Sequence, residues 1–256
     1  MPIYKVKNKE TIELLFENWH ETFIWSCLQN CMGDAYSDDP TQPRSAQIVA
    51  GDFCVLAGKV NNELIRNRQP YSQHDFIIMV PQDEQWAAAI EAIFGEKATP
   101  RMRYAIKKEP DVFDKAKLQG FVSAIPDGYE LRLIDKALYE DARRTQWSAD
   151  LCWNFPTYAD YEKNGLGVVV LKDGEIVSGA SSYIFYRSGI EIEIDTREDE
   201  RRKGLATICG ARLILECLER GLYPSWDAHN RESLALAEKL GYHFDKEYLA
   251  YEVCGM

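Results

Sequence analysis

Between Glu191 and Thr207 the chain gathers residue types that bind anions and move protons. Arg201, Arg202 and Lys203 stand directly before Gly204. Leu205, Ala206 and Thr207 then open a stretch with apolar residues at helical spacing (Leu205, Ile208, Leu213, Ile214, Cys217, Leu218), which Gly221 ends. A helix N-terminus exposes unpaired backbone N–H groups and the positive end of the macrodipole, and a glycine there lets a phosphate approach the backbone. Three consecutive cations add charge-assisted donors in a chain whose formal net charge is −11. The same residues would also suit a solvated loop, because glycine with basic neighbours is a weak pattern by itself. Upstream, Glu191 to Thr196 alternates acidic and apolar residues. This predicts a strand with Glu191, Glu193 and Asp195 on one face and Ile192 and Ile194 on the other.

The downstream residues narrow the choice. Tyr223 to Asp227 predicts a short strand, Asn230 an N-cap, Glu232 to Leu240 a helix and Gly241 its left-handed terminator. With these elements in place, the sequence resembles the GNAT superfamily of acetyl-CoA-dependent N-acetyltransferases over roughly residues 125 to 256. Arg201-x-x-Gly204-x-Ala206 matches that family's Arg/Gln-x-x-Gly-x-Gly/Ala acyl-CoA signature. The run from Asn230 through Ser233, Ala237 and Gly241 to Tyr242 is similar to its second motif. From Glu191 through Gly241 the chain looks most like the zwittermicin-resistance-type branch.

The resemblance implies an α/β (α+β) fold: a mixed, mostly antiparallel sheet whose parallel strands splay at the acyl-CoA site. It implies acetyl-CoA as cosubstrate, with Ile194, Asp195, Thr196, Arg201, Arg202, Lys203, Gly204, Leu205, Ala206, Thr207, Asn230 and Ser233 around it and no metal. Within that set, the backbone of Ile194 and Thr196 would meet pantetheine, the loop and helix start would hold the pyrophosphate, and Asn230 would face the thioester or pantetheine.

Acetyl transfer needs a neutral amine, a polarised thioester carbonyl and a proton for the departing thiolate. Glu191 or Glu193 would accept the amine proton, directly or through water, and a backbone N–H near Ile194 would stabilise the oxyanion. Against this stands a plain acidic strip facing solvent. Many members of the family use a tyrosine of the second motif as the acid, but Ala237 occupies that position here. Tyr242, Ser233 or a water would substitute, or the thiolate would leave unassisted. Tyr242 would otherwise pack in the core.

The remaining chain must position this machinery. Its 256 residues suit one large domain or two small ones, and 46% hydrophobic content supports buried cores. Ile12, Leu15, Phe16, Trp19, Phe23, Cys27 and Leu28 form a helical stripe that breaks near Asn18. Ser45 to Val49 and Asp52 to Ala57 predict a hairpin, Phe76 to Val80 a strand, Asp83 to Phe94 a helix ended by Gly95, and Met102 to Lys107 a strand. Lys115 to Ile125 predicts a helix, and Pro126-Asp127-Gly128 a turn before a strand at Tyr129 to Ile134. The domain boundary is expected at that turn: a smaller α/β domain over 1–125, either a divergent GNAT-like half without a cofactor site or an unrelated accessory domain, and the acetyltransferase domain over 126–256. In either case the first domain is expected to cover the substrate side of the second. Asp173-Gly174 is a hairpin signal between two strands. Trp147, Trp153, Phe155, Tyr158 and Tyr161 follow a helix at Lys136 to Arg144 and read as core or as acceptor-binding elements.

Composition excludes several classes. Acidic net charge argues against nonspecific nucleic-acid binding, and acidic walls around a small cradle favour a cationic amine acceptor. No apolar run approaches the roughly 20 residues of a membrane span. The basic N-terminus lacks a signal peptide's apolar core, so a cytoplasmic location is expected. Seven cysteines without paired metal-ligand spacing read as reduced thiols, with Cys27 and Cys31 packed in the core. The leading expectation is an N-acetyltransferase acting on a primary amine of a small molecule. A peptide amine, an acyl-CoA-binding sensor without turnover and a different phosphate ligand are the alternatives. The oligomeric state stays open, a homodimer included.

Overall fold

A computed structural model describes residues 2–67 and 76–255. The chain forms two compact units, Met1–Arg103 with Glu247–Met256, and Tyr104–Lys246. This corrects the division expected at 125/126. The turn at Gly128 forms, with φ +83°, but the helix before it puts Leu118 into the core of the second unit. The last ten residues join the first unit through strand pairing. Both outcomes are nonlocal, and a turn signal carries no information about them.

The first unit runs β1 (Tyr4–Lys5), a 3-10 helix (Lys9–Phe16), α1 (Thr22–Leu28), β2 (Asp34–Ser37), β3 (Ser45–Ala50), β4 (Phe53–Gly58), α2 (Asn62–Arg66), β5 (Phe76–Pro81), α3 (Glu84–Phe94) and β6 (Ala98–Ile106), closed by β13 (Phe244–Cys254). The division between units falls inside β6 and β13. The sheet order is β1-β2-β3-β4-β5-β13-β6. The expected helical break is Asn18, at φ 64°, between the 3-10 helix and α1. Asp83 caps α3 by accepting from the amides of Gln85 and Trp86, and Gly95 at φ 53° ends it. This seats the buried Trp86, whose Nε1 donates to the Gly58 carbonyl at 2.8 Å.

The second unit continues with α4 (Lys115–Ser123), β7 (Tyr129–Leu133), α5 (Lys136–Ala142), α6 (Tyr158–Asn164), β8 (Gly167–Lys172), β9 (Glu175–Tyr186), β10 (Gly189–Thr196), α7 (Leu205–Glu219), β11 (Tyr223–Ser225), β12 (Asp227–Ala228) and α8 (Arg231–Leu240). Its sheet has the order β11-β10-β9-β8-β7, antiparallel except for the parallel β10–β11 pair. Asp173 and Gly174, at φ 53° and 83°, make the two-residue turn between β8 and β9. The apolar face of α7 packs on Ile190 and Ile192 of β10. A Cβ on Gly210 would lie 2.7 Å from Leu240 Cδ1 and 3.1 Å from Ile194 Cδ1, so this glycine lets α7 approach both α8 and β10. The single strand expected at Tyr223 to Asp227 is two strands interrupted at the buried Trp226. β11 pairs with β10, whereas Asp227 and Ala228 pair with Ala105 and Tyr104.

Both units run through three antiparallel strands, a helix, a strand parallel to the third of them and a further helix. The parallel pairs differ. In the first unit β4 and β5 stay in register from Phe53↔Ile78 to Leu56↔Pro81, extended by the Ile78 amide to Asp52 O and the Gln82 amide to Leu56 O.

Candidate functional site

In the second unit the parallel register ends early, at Glu191↔Ser225. Beyond it the chain leaving β11 turns away to form β12 while β10 continues to Thr196. On the other edge of β10 a bulge falls between Glu191 and Ile192. Glu191 faces Ile184 and Ile192 faces Ser182, so Tyr183 is the extra residue. The Asn154 amide donates to the Tyr183 carbonyl at 3.0 Å.

As the alternation predicted, Ile192 joins the core under α7 and Ile194 packs against it half-buried, with Ile190 buried beside them. Of the acidic residues, Glu191 is buried and Glu193 and Asp195 are half-buried. Burial pushes the Asp195 carboxyl above the ordinary carboxylate range, opposed by the Thr196 amide at 2.6 Å and by the charges of Arg201 and His229. The Thr196 hydroxyl is buried against Ser178 Oγ at 2.7 Å.

The loop from Arg197 to Gly204 then forms a compact turn. Arg201 Nε donates to the Thr196 carbonyl at 3.1 Å, and its guanidinium lies 4.0 Å from Asp195. Arg202 and Gly204 both take the left-handed conformation, φ 65° and 83°, which suits glycine and strains arginine. Successive amides around such residues form a concave anion nest. A Cβ on Gly204 would meet nothing within 4 Å, so the space over the loop is open. The amides of Leu205, Ala206 and Thr207 precede the first bond of α7, from the Ile208 amide to Gly204 O. Backbone donors, open space and exposed Arg201 and Arg202 therefore fit a pyrophosphate. The Thr207 side chain points elsewhere, accepting from Lys239 Nζ at 3.2 Å.

Sequence reasoning missed the residue that holds this loop. Glu200, its side chain 3% exposed, accepts from Tyr129 Oη at 2.5 Å, Lys172 Nζ at 2.8 Å and Lys203 Nζ at 2.8 Å. These donors hold its carboxyl down at about 2. Lys203, expected at the pyrophosphate, is thus paired within the protein. Tyr129 and Lys172 lie 71 and 28 positions away, so no local pattern could have revealed the cluster.

The N-cap expected at Asn230 forms, and the role expected of Tyr242 changes. Asn230 and Ser233 start α8: Asn230 Oδ1 accepts from the Ser233 amide at 2.8 Å, its Nδ2 lies 2.8 Å from His229 Nε2, and Ser233 Oγ accepts from Trp226 Nε1 at 3.1 Å. Tyr242, the substitute acid, is only 2% exposed. Its hydroxyl donates to the Pro224 carbonyl at 2.6 Å, its ring packs on Phe113 and Trp226, and burial pushes the hydroxyl far above its ordinary range. Tyr242 is therefore a core residue. In the aromatic cluster, Phe155 and Tyr161 are core as well, Tyr161 bonding Ser181 Oγ at 2.8 Å, whereas Trp147, Trp153 and Tyr158 stay half-buried.

Known proteins resemble this chain in sequence and fold. The sequence profile described as GNAT acetyltransferase matches residues 13–251. The uncharacterized N-acetyltransferase YdfB of Bacillus subtilis (strain 168) is 29% identical over 259 residues, 96% of this chain and 95% of that one. The crystal structure of a GCN5-related N-acetyltransferase-like protein from Streptococcus suis 89/1591 superposes with a TM-score of 0.91 at 46% identity, covering 96% of this chain and 98% of that one. A tandem GNAT protein from the clavulanic acid biosynthesis pathway shares the fold alone, with a TM-score of 0.52 and 10% identity over 100% of this chain and 99% of that one. With the profile spanning both units, the chain belongs to the GNAT acetyltransferase family and is an acyltransferase-type enzyme.

Proposed function

We propose that the protein transfers an acetyl group from acetyl-CoA to a primary amine of a small molecule in the cytoplasm. The observation that carries this reading is the parting of β10 and β11 beyond Glu191, beside a left-handed nest at Arg202 and Gly204. Arg201, Arg202 and the amides from Gly204 to Ala206 would hold the pyrophosphate, and the β10 backbone at Ile194 and Thr196 the pantetheine arm. Bound acetyl-CoA supplies the activated acyl group. The carboxylate of Glu191 or Glu193 would take the proton of the acceptor ammonium, directly or through water, leaving a neutral nucleophile. An N–H near Ile194 would donate to the acyl oxygen. Acidic residues on that strand favour a cationic acceptor.

Calorimetric titration with acetyl-CoA tests this reading. Wild type is expected to bind at micromolar affinity. An Arg202→Ala, Gly204→Glu double variant, which places a carboxylate in the nest, should lose at least about tenfold. Folded wild type that fails to bind would overturn the proposal. Glu191→Gln and Glu193→Gln are expected to retain binding while at least one loses most turnover. The burial of Tyr242 favours one second reading, an acyl-CoA-binding protein without turnover; release of free CoA with any amine in a screen excludes it.

A further inference from the structure

The first unit holds a buried reactive pair that acyl transfer leaves unused. Lys9, at the start of the 3-10 helix, is 8% exposed, and its Nζ donates to Cys27 Sγ at 2.9 Å. Cys27 lies 18 positions away in α1 and is fully buried. The contact is shorter than the nitrogen–sulfur contact from Gln47 Nε2 to Cys54 Sγ, at 3.2 Å. Among the described residues the thiol is the sole hydrogen-bond partner of Lys9 Nζ, and no carboxylate pairs with it. An ammonium so deeply buried without a counter-charge is costly, so this pairing needs a physical explanation. Burial pushes the Cys27 thiol up, and the charge and hydrogen bond of Lys9 pull it back down. A cavity of about 430 Å³, lined in part by Lys7, Lys9, Cys31 and Met32, gives a small oxidant access to the lysine side of the pair.

We propose that Lys9 and Cys27 form an oxidative cross-link in which one oxygen atom joins Nζ to Sγ. The separation is too long for a direct nitrogen–sulfur bond and fits two bonds meeting at a bent oxygen. Dioxygen is the oxidant. The S–H bond and two N–H bonds of the ammonium break, N–O and O–S bonds form, the second oxygen leaves as water, and one proton passes to solvent. Sulfur and nitrogen each lose two electrons, and the four reduce dioxygen. Two equivalents of a dithiol reverse the change. The bridge ties the 3-10 helix to α1, whose Ile12, Phe16 and Phe23 are buried.

Intact-mass measurement of the full chain tests this. After exposure to air-saturated buffer, wild type is expected to gain about 14 Da, one oxygen less two hydrogens, and to lose the gain with dithiothreitol. Peptide mapping should place the link on Lys9 and Cys27. Closing this loop should raise the thermal midpoint by roughly 5 °C. Lys9→Gln and Cys27→Ser, checked for folding by circular dichroism, should show neither change. An unchanged wild-type mass overturns the proposal, as does a gain of about 16 Da (a sulfenic acid), a loss of about 2 Da (a Cys27–Cys31 disulfide), or the 14 Da gain persisting in Lys9→Gln. Should either variant fail to fold, the wild-type peptide map still decides.

Discussion

At the scale of single residues, the loop before α7 depends on a carboxylate that touches no ligand in the proposed chemistry. Glu200 collects one neutral and two cationic donors from β7, β8 and its own loop, and each bond favours the ionised form. Its carboxyl is held at about 2, below the ordinary value of 4.5, so the folded state binds this proton less readily than the unfolded chain. The resulting stabilisation is complete above about pH 4.5 and is lost as pH falls towards 2. Glu200→Gln is therefore expected to lower stability at neutral pH and to flatten the decline between those pH values, as read by urea unfolding at a series of pH values. A variant whose acid decline parallels wild type would show that the cluster contributes nothing to linkage. The residue escaped sequence reading because Glu198, Asp199 and Glu200 are adjacent acids, and only the fold buries Glu200.

Among the elements, α7 was the most legible, since its apolar period, preceding glycine and terminal Gly221 all lie within the segment itself. Its placement was not. Gly210 is unremarkable in sequence, yet a side chain there meets Leu240 and Ile194, which connect α7 to α8 and to the strand that feeds the cradle. Gly210→Val should cost about 1–3 kcal/mol by overpacking and should also weaken acetyl-CoA binding, because the start of α7 shifts with the helix. Gly210→Ala should cost less, as both neighbours present flexible side-chain ends. Thermal unfolding combined with calorimetry checks this; valine with wild-type stability would show that α7 has slack against α8. The divided strand β11–β12 illustrates the opposite limit. Tyr223 to Asp227 reads as one short strand, and the competing partners β10 and β6 divide it at Trp226.

Over the whole molecule, each unit contains one parallel strand pair after three antiparallel strands, with unequal outcomes. The second unit opens its parallel pair after Glu191, whereas the first keeps β4 paired with β5 from Phe53 to Leu56, up to the end of β5 at Pro81, and follows β4 with a five-residue helix. Titration should accordingly give a single acetyl-CoA per chain; two equivalent sites would refute this account of the closed pair. The sheet of the first unit also takes its strand between β5 and β6 from the C-terminus. Deleting residues 247–256 would leave two sheet edges unpaired, and aggregation or loss of cooperative unfolding is expected by size-exclusion chromatography and circular dichroism. The sequence by itself determined the strand and helix on either side of the Arg201–Gly204 loop, the acidic face of β10 and, through two linked motifs, the family, because these are encoded in periodicity and spacing within a few turns of chain. Tertiary structure alone decided where the units divide, that Tyr242 and Lys203 are occupied within the protein, that Glu200 anchors the loop, and which parallel pair opens. Apart from the Lys203–Glu200 contact, which spans three positions but is fixed by the fold that buries Glu200, each of these depends on pairing or burial between residues far apart in the chain, which local pattern cannot register.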